Sequence, residues 1–303
     1  MNPVFRYGTD RLTVPQALAV AAGTLQGILD APTRERVRRG QAEVQAIVGK
    51  GRTVYGVNTG FGILANTAIS AADTATLQYK ILQSHSVGVG EAIPAEVSRL
   101  MLVTKLQALA QGYSGVQEAT LDRMIWHLDQ DVIPVVPEKG SVGASGDLAP
   151  LAHLFLPLIG LGQVWEKGQV RNTSEVLTRH GLAPIELGPK EGLALINGTQ
   201  FILAWAIKGL QRMHYALEAA DIIGAMTLEA LTGTKAPFDE RLHTLRPYRG
   251  NQLVAHRLRH LLNGSEIMQS HVDCGRVQDP YSLRCMPQVH GASRTAWHHL
   301  MTV

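Results

Sequence analysis

Cysteine is nearly absent from this sequence. Cys274 and Cys285 are the only two, and their spacing fits neither a zinc site nor a redox pair. A disulfide framework is excluded, and a reduced, cytoplasmic protein is expected. Charge is sparse too, at 17% of residues with a net +3. No basic block or aromatic-basic stripe occurs, so nucleic acid is not an expected partner. The first thirty residues lack a basic start followed by an apolar run, so no signal peptide is read. No unbroken apolar stretch is long enough to span a bilayer, so no membrane is expected. The sequons at Asn172, Asn197 and Asn263 are then read as accidental. Internal repeats, linkers and low-complexity tracts are also missing. What remains is 303 residues, 45% hydrophobic, enough for a large globular domain or two.

Helical periodicity dominates the chain. Residues 14–31 read as a helix capped by Thr13 with Pro15 in its first turn, and 33–49 as a second. The basic face of that second helix (Arg34, Arg36, Arg38, Arg39) reads as solvated surface. A short strand over 52–58 leads to a glycine-rich loop at 60–62. Helices follow near 73–87, 94–112 and 117–130, and another starts at Asp147. Residues 163–171 read as a hairpin turning at Lys167-Gly168, followed by a minor helix near 174–180. From Thr199 to about Leu231 one long helix is apolar on much of its circumference, as in a buried bundle. Helices near 251–263 and 280–300 complete the pattern.

The stretch Gly140 to Leu151 carries unusual chemistry. Small residues flank Ala144-Ser145-Gly146, so the backbone can fold tightly there. The Gly146 nitrogen can then attack the Ala144 carbonyl carbon, and loss of water closes a five-membered ring. Loss of a second water, from Ser145, leaves an exocyclic methylene. The product is a methylidene-imidazolone, an electrophile that no unmodified side chain supplies. Asp147 stands at the expected start of the following helix, whose free N–H groups and dipole would stabilise negative charge developing on the ring. An isolated Ala-Ser-Gly would be read as a glycine-rich turn.

Four segments in order change that reading: Tyr55-Gly56-Val57-Asn58-Thr59-Gly60-Phe61-Gly62; Gly140 to Leu151 with His153 after it; Asn197-Gly198-Thr199-Gln200; and Gln278-Asp279-Pro280-Tyr281-Ser282-Leu283-Arg284-Cys285. Together they resemble the histidine and phenylalanine ammonia-lyase family, from about residue 10 to the end. The resemblance implies a mainly α fold. An N-terminal mixed domain, 1–198, would have small β elements and carry the triplet. The start of a long central helical bundle, 199–303, would follow. Family members continue substantially further, so the chain is expected to be an N-terminal fragment or one piece of a split protein. A homotetramer, or pairing with a complementary C-terminal chain, is expected with it.

The implied reaction is elimination of ammonia from L-histidine to give trans-urocanate. The implied cofactor is 4-methylidene-imidazol-5-one, formed autocatalytically from Ala144, Ser145 and Gly146. Tyr55 resembles the base; alone it would pass for a half-buried strand aromatic. Asn197 resembles the amide that holds the ring, although Asn-Gly is also a common turn pair. Arg284 resembles the residue that grips the substrate carboxylate, with Tyr281 one turn earlier and Gln278 in support. Ser84-His85 resembles the pair that faces an imidazole side chain; by itself His85 reads as a satisfied core histidine. Alternatives are a lyase or aminomutase acting on another aromatic amino acid, and a catalytically silent fragment serving as an assembly module. No metal is expected: His256 and His260 stand four apart without a third ligand.

Overall fold

The computed structural model describes residues 3–50, 54, 57, 59, 71–141, 146 and 148–302, with only the backbone of 71–75. They form two compact units, Met1–Ile207 and Lys208–Val303.

The first unit opens with strand β1 (Val4–Arg6) and helix α1 (Val14–Ala21). A capping box starts α1: Thr13 Oγ1 accepts from Gln16 N–H, and Gln16 Oε1 accepts from Thr13 N–H at 3.0 Å. The expected helix over 14–31 stops ten residues early. Gly23 takes φ +72°, and Thr24 and Leu25 N–H both fold back onto the Ala19 carbonyl. The chain then becomes strand β2 (Gln26–Ile28), parallel to β1, with Phe5 opposite Gly27. Helix α2 (Ala31–Gly49) follows, with Asp30 accepting from Thr33 N–H at 2.9 Å as its cap. Its basic face is not simply solvated, as the sequence suggested. Arg34 binds Glu118 and Asp122, Arg38 binds Glu118, and Arg36 donates to the Gly8 carbonyl. Those acids lie on or beside the first turn of another helix, so the face acts as a clamp.

Helices α3 (Ala71–His85), α4 (Ala95–Leu109) and α5 (Glu118–Asp129) build the core with α6 (Leu148–Phe155). Ten of the fifteen residues of α4 are buried. It is the central helix, and its apolar circumference is the reason. Strand β3 (Val89–Ala92) pairs antiparallel with β5 (Pro137–Lys139). Strand β4 (Val132–Pro134) pairs antiparallel with β6 (Gln163–Glu166), and β6 with β7 (Gln169–Asn172) across the expected Lys167-Gly168 turn. Helices α7 (Thr173–Arg179) and α8 (Glu191–Ile196) lead to the long helix α9 (Gln200–Ala230), in which the first unit ends. The strand expected over 52–58, the loop at 60–62 and the cap Asp147 fall largely or wholly outside the described residues.

The second unit contains the rest of α9, α10 (Glu240–Thr244), α11 (Arg249–Leu261), α12 (Glu266–Ser270), α13 (Tyr281–Arg284) and α14 (Met286–Thr302). The expected helix over 280–300 is two. Pro287 has no N–H to donate to the Leu283 carbonyl, so the helix must begin again at Met286. Val254, Leu258, Leu283 and Met286 share one apolar cluster with Leu228 of α9. Beneath it Asp221 is fully buried and accepts from Arg294 (2.6 Å), Arg257 (2.9 Å) and His290 (2.9 Å). Much of the apolar surface of α9 is uncovered: Ile222, Ile223 and Met226 are 46%, 60% and 63% exposed. Taken with α8, the run Glu191–Ala230 is long and apolar enough to cross a membrane by length and composition. Lys208, Arg212, Glu218 and Asp221 interrupt it, so it is not an unbroken apolar stretch. The ion pairs of Glu218 and Asp221 are those of a helix packed against other helices.

Candidate active site

The first unit brings three of the expected site residues onto neighbouring elements. Their hub is α8, only six residues long, too short to hold itself together alone. It is fastened at its start by Glu191, which is 1% exposed. Glu191 Oε1 accepts from Gln117 N–H (2.8 Å) and Thr120 Oγ1 (2.9 Å), and Oε2 from Gly188 N–H (2.6 Å) and Gln117 Nε2 (2.9 Å). Burial pushes this carboxyl above the ordinary glutamate range, against the pull of those donors. Along its side, α8 meets α3 at Gly192. Gly192 N–H donates to Gln78 Oε1 at 2.9 Å, and a Cβ at Gly192 would lie 2.6 Å from the Gln78 carbonyl oxygen.

At the end of α8 stands Asn197, exposed, with its N–H on the Leu193 carbonyl. Its own carbonyl accepts from Lys105 Nζ of α4 at 2.7 Å. Lys105 is 2% exposed, and burial alone pushes its pKa down to about 7. The side-chain amide of Asn197 makes no hydrogen bond among the described residues.

Gly146 lies against this corner. A Cβ there would sit 2.1 Å from the Gly198 carbonyl oxygen and 3.2 Å from Thr199 Cα, and its φ is +112°. Only glycine permits both the conformation and the approach. Gln200 Oε1, just beyond, is buried and accepts no hydrogen bond among the described residues. The last residue of the triplet thus packs against the residue after Asn197, with an unsatisfied acceptor nearby. A backbone-derived ring fits such a place, because at Gly146 it adds no Cβ. Ala144, Ser145 and Tyr55 lie outside the described residues.

His85 ends α3, half-buried. Its Nδ1 lies 2.9 Å from the Ile81 carbonyl, which can only accept, and 3.1 Å from Ser84 Oγ, so Nδ1 carries a proton, and in the neutral ring Nε2 is free to accept. Three residues on, Gly88 N–H donates to His153 Nε2 of α6 at 3.0 Å. Burial lowers the pKa of His153, in keeping with an accepting, neutral ring.

Gln278, Tyr281 and Arg284 belong to the second unit. Asp279, 5% exposed, fixes their segment by accepting from Thr234 N–H (2.6 Å) and from Arg276 (3.2 Å). Tyr281, 75% exposed, and Arg284 lie one turn apart on α13. Arg284 Nε donates to the Asp279 carbonyl at 2.8 Å, which leaves its two terminal nitrogens for a carboxylate. Gln278 lines an open cleft of about 380 Å³ with Thr234, His271 and Arg276, and Tyr281 and Arg284 lie outside it. His256 and His260 are exposed on α11.

Sequence reasoning passed over Lys105 and Glu191 and assigned no role to His153. Lys105 had a signal: it is the one charged residue in Leu100–Ala110. Glu191 had none, because three of its four donors come from Gln117 and Thr120, more than seventy residues away.

The sequence model of the family described as aromatic amino acid lyase matches residues 12–303. A histidine ammonia-lyase from Symbiobacterium thermophilum is 47% identical over 292 residues, 96% of this chain and 57% of the relative. One from Sorangium cellulosum is 51% identical over 269 residues, 88% of this chain and 52% of the relative. The solved structure of a tyrosine aminomutase from Streptomyces globisporus superposes with a TM-score of 0.88 at 32% identity, over 99% of this chain and 61% of that one. The chain therefore spans little more than half the length of the curated relatives it matches. With a family match over residues 12–303, and a mainly helical fold that a solved aminomutase shares, this chain belongs to the aromatic amino acid lyase family.

Proposed function

We propose that the protein containing this chain is a histidine ammonia-lyase, converting L-histidine to trans-urocanate and ammonia. The observation that carries the reading is the contact of Gly146 with Gly198, which sets the end of the triplet beside Asn197. A 4-methylidene-imidazol-5-one formed from Ala144, Ser145 and Gly146 would supply an electrophile for the substrate amine, making a poor leaving group a good one. Asn197 would hold that ring through its amide, which has no partner among the described residues. Tyr55 would take a proton from the substrate β-carbon; a phenol near its ordinary pKa of about 10 must be lowered to do so at neutral pH. Arg284 would bind the substrate carboxylate through its terminal nitrogens, with Tyr281 on the same side and Gln278 in support. In its neutral form His85 would accept at Nε2 from an imidazole N–H, a match that a phenyl ring cannot make.

The same reading assigns residues 1–198 to a triplet-bearing domain and 199–303 to part of a helical bundle. The uncovered side chains of α9 support burial against further copies, as in a homotetramer, or against a complementary C-terminal chain. A cytoplasmic location goes with a metabolic lyase of this kind.

An aminomutase acting on another aromatic amino acid is the second reading, supported by the tyrosine aminomutase likeness. Product analysis of the whole protein against a panel of amino acids separates the two. Urocanate from L-histidine is expected, and a β-amino acid product would replace this reading with the second. In His85→Leu, use of L-histidine should fall about tenfold more than use of L-phenylalanine, the scale of one lost hydrogen bond in a confined site. Equal losses would make His85 structural.

A further inference from the structure

Lys105 is out of place by ordinary rules. It stands on α4, ten of whose fifteen residues are buried, near Met101, Leu102 and Leu106, and is itself 2% exposed. No carboxylate pairs with it among the described residues. Among the described residues its side chain makes one hydrogen bond, from Nζ to the carbonyl oxygen of Asn197, at 2.7 Å. A leucine or methionine would fill the same space without a buried polar group. The lone amine therefore calls for an explanation other than packing.

The geometry supplies one. Short α8 presents Asn197 at its end, where carbonyls lack helical partners and a cationic donor is favoured. Glu191 fastens the other end. Asn197 then leaves the helix in an extended conformation (φ −89°, ψ 127°), and Gly198 follows directly against Gly146. A shift of the Asn197 carbonyl would move both the amide and the surface on which Gly146 rests.

We propose that Lys105 is a positioning residue: by holding the Asn197 backbone it sets the Asn197 side chain and Gly198 for the ring-forming triplet. This rests on the site reading above. Burial lowers the pKa of Lys105, and the nitrogen donates whether it is an amine or an ammonium.

The test uses the whole protein with Lys105→Met, Lys105→Arg, Asn197→Ala and the Lys105→Met/Asn197→Ala double variant. Two quantities are read: the fraction of the tryptic peptide Gly140–Lys167 that has lost two waters, and kcat and KM for L-histidine. Lys105→Met should fold, and should lose tenfold or more in kcat or in ring formation with little change in KM. Lys105→Arg keeps a donor and should recover most of the loss. The double variant should be no worse than Asn197→Ala alone, since both changes act through one group. Normal behaviour of Lys105→Met, its failure to fold, no recovery in Lys105→Arg, or losses that multiply in the double variant would each overturn the proposal. If Asn197→Ala is itself without effect, the site reading falls and the proposal with it. If only Lys105→Met is without effect, the proposal falls alone.

Discussion

Replacing Lys105 by methionine should make the protein more stable at neutral and acidic pH. The lysine falls from its ordinary 10.5 to about 7 on folding, and burial is the cause. At about 1.36 kcal/mol per tenfold change in acidity, keeping it in the core costs about 5 kcal/mol at pH 6. The unfolded chain binds the proton between pH 7 and 10.5 while the folded one sheds it, so wild-type stability rises with pH across that window. At pH 9 the cost is only about 2 kcal/mol. Methionine keeps the apolar stem but leaves the Asn197 carbonyl without its donor, a loss of about 1–3 kcal/mol. The net gain for Lys105→Met is about 2–4 kcal/mol at pH 6, and it vanishes near pH 9. Urea unfolding of both proteins from pH 6 to 10, followed by tryptophan fluorescence, reads this directly. A variant that is less stable at pH 6, or whose difference from wild type does not change with pH, would refute the reasoning.

Asp221→Asn should destabilise the Lys208–Val303 unit by about 3 kcal/mol, because Arg294 and Arg257 both lose their buried carboxylate partner and keep only the part-exposed Glu218. Burial pushes the Asp221 carboxyl up, but hydrogen bonds from His290 and Arg294 outweigh it and hold it below the ordinary carboxylate range. Its stabilisation is thus complete above about pH 4 and is lost as pH falls through the folded value, so acid unfolding should steepen in wild type relative to the variant. Gly192→Ala should cost about 1–3 kcal/mol, since the new methyl meets the Gln78 carbonyl and Ile81 and must push α3 from α8. An unchanged melting temperature would rule out the close packing of those helices.

How much could be read in advance depended on whether the signal was local. The Thr13 cap, the Lys167-Gly168 hairpin and the long α9 were legible because a few adjacent residues determine each. The end of α1 was not. Its apolar period runs on past Gly23, and the β2 that replaces it has its partner in β1, 22 residues away. Pro287 did mark a break, but the apolar pattern on both sides hid it. The triplet and Asn197 were recognisable as motifs, yet nothing in the sequence says that Gly146 touches Gly198. Lys105 and Glu191, which hold the two ends of α8, reach it from 92 and 74 residues away or through donors at such distances. Residue type shows chemistry, and long-range packing decides which group is held where.

The account turns on one covalent event, and a mass measurement decides it. The tryptic peptide Gly140–Lys167 contains the triplet and no other cleavage site. Isolated from the whole protein active on L-histidine, it should weigh about 36 Da less than its encoded sequence, the mass of two waters. Ser145→Ala, which has no hydroxyl to lose, should show neither the full loss nor turnover. An unmodified Gly140–Lys167 peptide from a preparation that forms urocanate would contradict the account.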